Sequence, residues 1–310
     1  MAVRVLPVPS RELPEPRLRI VRQALVVGAT SSTTNAALAA ALGAAGMPAR
    51  VVAPDRLDGA ARHGDLVLNR VDVLPTLDGP CDGLWETVSV ERAGATLLNH
   101  PRSLYLAHDK LATATVLGQA GLPHPRTVLV EGVERPPSFG PPYVVKPRFG
   151  SWGRDVFLCG GDEELAEVLT ELSRRSWFAR HGALVQELIG PARDDLRVVV
   201  AGGAVVGAVS RVARPGEWRT NVAAGGRRVR ATPGVQPSEL ALRSVEALGL
   251  DFAGVDLMRG AAGEWVVLEV NGAVDFTEEY SLAGRSVFDD VAERLALWSV
   301  RDAPVCQTFV

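Results

Sequence analysis

Asp256 and Glu269 each interrupt an apolar, strand-like run, Gly254-Val255-Asp256-Leu257-Met258 and Val267-Leu268-Glu269-Val270-Asn271. A lone carboxylate inside a buried strand is costly unless a cation or a hydrogen-bond donor compensates it. Two antiparallel strands joined by the polar turn around Arg259-Gly260 would set both acids side by side on one face. Asn271 lies two residues beyond Glu269, and strand alternation puts it on that face too. Three hard oxygen donors suit Mg²⁺ bridged by nucleotide phosphates, an ion that seldom takes a full protein cage. Acids that merely face water fit poorly with neighbours that are apolar on both sides.

Two of the 33 basic residues are lysines, Lys110 and Lys146; the rest are arginines. A chain that uses arginine wherever it needs charge keeps lysine where a compact ammonium is required, as beside a phosphate. Lys110 stands at the start of a predicted helix in Ala107-His108-Asp109-Lys110-Leu111. Lys146 ends the apolar run Tyr143-Val144-Val145-Lys146 and precedes the loop Gly150-Ser151-Trp152-Gly153-Arg154. A lysine at a strand end before a glycine-rich loop, whose backbone N–H groups can approach an anion, points to a nucleoside triphosphate site.

A second polar cluster follows the first predicted strand, Ala24–Val27. Thr30 to Asn35 holds six hydroxyl or amide side chains and leads into an Ala-rich helix. In a parallel α/β sheet, ligands collect beyond the carboxyl ends of the strands. Ser31, Ser32 and Thr33, with Arg70 at the end of the strand Asp65–Asn69, are therefore expected to hold a substrate carboxylate. The competing reading is that one of them only caps the helix. Gly28 lacks the two further glycines that a dinucleotide-binding loop requires.

Net charge of −3 advertises no nucleic-acid affinity. Three scattered cysteines, Cys81, Cys159 and Cys306, form no metal or disulfide frame and indicate a reducing, cytoplasmic setting. No run approaches the roughly 20 apolar residues of a membrane span. A protein with neither nucleic-acid nor membrane partners is expected, as a homo-oligomer (dimer or tetramer).

Four units follow from the pattern. Residues 1–22 form a Pro-rich arm, and 23–105 an N-terminal parallel α/β unit built on strand–loop–helix alternation. Residues 106–184 form a central lid, with a helix over 109–120, strands at 127–130, 143–146 and 155–159, and a Glu-rich helix. Residues 185–310 form a mostly antiparallel unit, opened by the strand Ala183–Ile189 and the hairpin around Gly202-Gly203. The fold class is thus α/β and α+β combined.

From about Asn99 onward the chain resembles the ATP-grasp superfamily, and within it the RimK-type glutamate ligases and, more closely, the LysX-type ligases. The resemblance rests on His108-Asp109-Lys110-Leu111, Val144-Val145-Lys146-Pro147, Gly150-Ser151-Trp152-Gly153-Arg154, Val185-Gln186-Glu187, Asp195-Leu196-Arg197, Arg219-Thr220-Asn221, Gly254-Val255-Asp256 and Glu269-Val270-Asn271, in that order. It implies an ATP-grasp fold, ATP, and two Mg²⁺ ions, with Mn²⁺ as a substitute. Lys110 and Lys146 would contact phosphates, and Gly150, Ser151, Trp152 and Gly153 would cover them. The backbone of Glu187, Leu188 and Ile189 would hold the adenine, and Asp195 the ribose, with Asn221 also on the nucleotide. Arg211 and Arg219, with Lys146, would hold the transferred phosphate, and Asp256, Glu269 and Asn271 the metal. Arg214, Arg227, Arg228 and Arg230 read instead as a solvated basic loop. Many relatives have a basic residue where this chain has Ala224, so contacts through that side chain are not carried over.

The activity implied is an ADP-forming carboxylate–amine ligation through an acyl phosphate, acting on an amino acid or peptide. Three alternatives stay open: a ligase acting on a carrier-protein or peptide tail, a nucleotide-binding regulator without catalysis, and an ATP-grasp kinase with no amine step.

Overall fold

The structure, a computed structural model, describes residues 21–73, 84–132, 137–151, 153–190 and 193–299. Residues 1–20 of the expected Pro-rich arm, Trp152, Cys81 and Cys306 lie outside the described residues.

The N-terminal unit runs β1 (Ala24–Val27), α1 (Thr33–Ala44), β2 (Ala49–Val52), α2 (Leu57–Ala60), β3 (Leu66–Asn69), α3 (Leu84–Arg92) and β4 (Thr96–Leu98). Its strands are parallel in the order β2-β1-β3-β4. β1 and β3 are buried along their whole length and apolar but for Asn69 at the end of β3, as suits strands covered on both faces.

Helices α4 (Pro101–His108) and α5 (Lys110–Gln119) meet at Asp109, whose carboxylate accepts from the N–H groups of Leu111 and Ala112 and so caps α5. The second sheet holds β5 (Thr127–Val130), β6 (Tyr143–Pro147) and β7 (Phe157–Cys159). After helices α6 (Asp162–Leu172) and α7 (Ser176–His181), β8 (Ala183–Glu187) completes it in the order β5-β8-β6-β7. Its pairings are antiparallel and it has its own core, which includes Phe139, Tyr143, Leu165 and Trp177.

The third sheet follows: β9 (Asp194–Ala201), β10 (Ala204–Val212), β11 (Arg227–Arg230), then α8 (Val235–Ala247), β12 (Phe252–Arg259), β13 (Trp265–Asn271) and α9 (Val287–Ser299). It is antiparallel in the order β11-β10-β9-β12-β13.

Two expectations change here. β8, expected to open the third unit, lies between β5 and β6 in the lid sheet, while α4 and α5 pack on the third sheet. Leu104, Ala107 and Leu117 share a core with Val198, Val255 and Val270. The basic stretch Arg227–Arg230, expected to be a solvated loop, is an edge strand paired to β10. The first and third units also share one core, in which Leu38 and Leu42 of α1 cluster with Phe252, Phe276, Val291 and Leu295. The lid sheet has a core separate from that body.

Candidate active site

Strand register assembles the acidic centre. Asp256 on β12 faces Arg197 on β9 to one side and Glu269 on β13 to the other. Two residues along β9, Asp195 faces Arg211 on β10. Arg197 clamps both oxygens of Asp256 at 2.6 and 2.7 Å, and Arg211 clamps Asp195 while donating to Asp256 Oδ2 at 2.8 Å. Two guanidinium ions and two carboxylates thus form a neutral, buried quartet, the arrangement that makes buried charge tolerable. Burial alone would raise the Asp256 carboxyl, but Arg197 and Arg211 outweigh it and hold it at about 2.

Glu269 escapes this quartet. Its Oε1 lies 3.3 Å from Nζ of Lys110, the first residue of α5, and that same ammonium donates to the carbonyl of Gly150 at 2.5 Å. Lys146 projects from β6 toward the same centre. Burial pulls its ammonium down to about 8, with Glu269 and Asp256 opposing and Lys110 adding to the drop. A bound polyphosphate would reverse that shift.

The glycine loop is tethered from three sides. Lys110 holds Gly150, Ser151 Oγ donates to Asp72 Oδ2 at 3.1 Å, and Arg219 Nη1 reaches the Gly153 carbonyl at 3.4 Å. Gly150 and Gly153 have φ of +96° and +68°, so both ends of the turn need glycine. A Cβ on Gly153 would also come within 3.1 Å of the Asn221 side chain. Together these elements wall a cavity of about 1120 Å³ that also includes Glu187, Leu188 and Ile189. That is ample for a nucleoside triphosphate and a second substrate.

Several expected roles meet different surroundings. Asp195 is buried, and its oxygens are taken by Arg211 and by Thr220 Oγ1, so the expected ribose contact is replaced by an ion pair. Arg211 lines the cleft but is locked in the quartet, whereas Arg219 is partly exposed and paired with Glu217. The Glu187 side chain turns to Arg126, and the N–H groups of Glu187 and Leu188 donate to Arg126 and Pro142 carbonyls. Ser32 caps α1 through the Asn35 N–H, and Ser31 and Thr33 are exposed and are not among the residues lining the cleft. Arg70 does line it, but its guanidinium is 2% exposed and donates to Asn35 Oδ1, the Val274 carbonyl and Asp275 Oδ1. The donors meant for a substrate carboxylate hold the protein instead, and the half-exposed Asp275 carboxylate faces the cleft in their place. Asp72 and Arg197 were missed as site residues. Arg197 stood inside a quoted motif, while nothing local marks Asp72.

The donor set fits a hard cation only in part. Glu269 and Asn271 line the cleft free of arginine, and Asn271 Nδ2 is buried without a partner. Asp256 is covered by two guanidinium ions, so a metal there would compete with Arg197 and Arg211. Among the described residues no three Asp, Glu, His or Cys side chains converge as a metal cluster.

The chain is 31% identical over 228 residues to the tetrahydromethanopterin:alpha-L-glutamate ligase of Methanosarcina acetivorans, covering 66% of this chain and 68% of that protein. It is 37% identical over 187 residues to a probable alpha-L-glutamate ligase of Stenotrophomonas maltophilia, covering 58% of this chain and 62% of the relative. Among solved structures, the ATP-grasp ligase PsnB with a minimal precursor superposes with a TM-score of 0.66 at 20% identity, over 90% of this chain and 100% of that one. D-alanine–D-alanine ligase from Bacillus anthracis gives 0.66 at 18% identity, over 90% and 97%. These two likenesses show the fold. Residues 107–294 match the RimK-like ATP-grasp domain, and the chain belongs to this family of ATP-dependent carboxylate–amine ligases.

Proposed function

We propose that the protein joins an amino-acid amine to a carboxylate through an acyl phosphate, releasing ADP and phosphate. The observation that carries this reading is that both lysines of the chain line one cleft around the Asp256–Glu269 pair. A carboxylate oxygen attacks the γ-phosphorus of ATP and ADP leaves. The amine then attacks the acyl carbon, phosphate leaves, and the amine gives up its proton. Splitting the reaction this way replaces one unfavourable condensation by two feasible displacements.

Lys110 and Lys146 neutralise the phosphates as compact charges, and Arg219 stands beside the loop where the transferred group would pass. Arg197 and Arg211 fix the Asp256 carboxylate rather than touching substrate. Glu269 and Asn271, backed by Asp256, would hold two Mg²⁺ ions, or Mn²⁺ in their place, whose chemistry is to neutralise charge on the phosphate oxygens. Closure of the glycine loop excludes water from the acyl phosphate. Relatives named as glutamate ligases support an amino-acid substrate, glutamate first among those to try.

The test is ADP release coupled to mass-spectrometric detection of amide, across pairs of small carboxylates, peptides with free carboxyl ends, and amino acids including L-glutamate. Amide formed in step with ADP supports the reading. ADP without amide in every pair makes the protein a kinase or hydrolase, and ATP binding without turnover makes it a regulator.

A further inference from the structure

Asp72 lies three residues beyond β3, in the N-terminal unit, yet its two oxygens serve the other units separately. Oδ1 lies 2.8 Å from His108 Nδ1 at the end of α4, and Oδ2 accepts from Ser151 Oγ of the glycine loop at 3.1 Å. The Asp72 side chain is 30% exposed and that of His108 12%, so the bridge is sheltered rather than a surface accident. Burial alone would raise the Asp72 carboxyl, but the bonds from His108 and Ser151 and the nearby Lys110 charge hold it low, as an ionised acceptor. Ser151 directly follows Gly150, which with Gly153 holds a positive φ that favours glycine. The Lys110–Gly150 tether belongs to the body of α5, and the Arg219–Gly153 contact to the third unit. The Asp72–Ser151 bond is the tether that comes from the N-terminal unit.

The geometry points to Asp72 as a positioning residue: it latches the phosphate-covering loop to the N-terminal wall of the cleft, so that closure over the nucleotide is completed only when both walls are in place. In the ligase reading, on which its catalytic consequence rests, this latch keeps water from the acyl phosphate between the two displacements. Asp72 touches no reacting atom. It acts through Ser151, with His108 holding its other oxygen and setting its orientation.

The experiment uses the full chain with a non-hydrolysable ATP analogue and Mg²⁺, and follows backbone hydrogen exchange over residues 148–155. Asp72→Asn and Ser151→Ala should each speed exchange there at least several-fold, the double variant should be no faster than either single, and melting temperatures should stay close to wild type. Unchanged loop protection in either variant, or effects that multiply in the double variant, would overturn the latch. A second measurement is the ratio of ADP released to amide formed, expected near one in wild type and several-fold higher in both variants, which a purely structural role would not move. A ratio of one retained in both variants also overturns the proposal. If wild type forms no amide from any pair while the exchange pattern appears as described, the ligase reading fails and the latch stands.

Discussion

Asp256 and Glu269 stand opposite each other across the β12–β13 ladder, yet their charges are met by different partners. Arg197 and Arg211 enclose the first, while Lys110 pairs with the second and the Lys146 ammonium also feels it. One acid is therefore built into the body, while its neighbour lines the cleft outside the arginine quartet.

This separates two conservative variants. Asp256→Asn strips the counter-charge from two buried guanidinium ions and should destabilise the protein by about 3–5 kcal/mol. Glu269→Gln loosens only a partly exposed pair, so stability should change by no more than about 1 kcal/mol. Turnover should nevertheless fall by about two orders of magnitude. Urea unfolding beside ADP-release kinetics checks both. Equal destabilisation by the two variants would contradict the division.

Lys146 should cost the apoprotein stability. Its ammonium, displaced from 10.5 to about 8 by burial, corresponds to about 3 kcal/mol of folded-state penalty. Below pH 8 the lysine is charged in both folded and unfolded chains and the penalty is complete. Between pH 8 and 10.5 the folded chain releases its proton first and the penalty fades. Lys146→Met should therefore melt higher than wild type at pH 7, lose that advantage by pH 10, and have no measurable turnover. Calorimetry across that range decides it.

Arg70→Ala should act on stability before it acts on substrate. It leaves Asn35 Oδ1 and the Val274 carbonyl without their buried donor, a loss of about 2–4 kcal/mol. Asp275→Asn keeps the shape and removes a half-exposed charge. It should raise KM for the amine several-fold while leaving KM for ATP unchanged. Denaturant midpoints and two-substrate kinetics separate these outcomes. An Arg70→Ala protein of native stability with a raised KM would restore Arg70 as a substrate ligand.

Ser32→Ala should lower stability by about 1 kcal/mol, the value of a helix cap. Its kinetics should match wild type for both substrates, since Ser32 is held by the Asn35 N–H. A several-fold rise in KM would return Ser32 to the substrate site.

What was legible in the sequence was local. Alternation within β12 and β13, joined by a short turn, forces Asp256, Glu269 and Asn271 toward one face. The scarcity of lysine marked Lys110 and Lys146, and Gly150 and Gly153 marked a turn that side chains would strain. The pattern of strands and helices carried the fold class for the same reason, because pleat and helical period are properties of neighbouring residues. Only the tertiary structure decided which partner reaches each charge. Arg70 looked free to bind a carboxylate until Val274 and Asp275, over two hundred residues away, arrived at its guanidinium. Asp195 looked open to a ribose until β10 brought Arg211 across from it. Asp72 had no signal of its own until α4 and the glycine loop closed on it, and β8 joined the lid by pairing on one edge with β5 and on the other with β6. A buried charge must be paired, but its pair is chosen by the docking of whole sheets and helices, which no local period encodes.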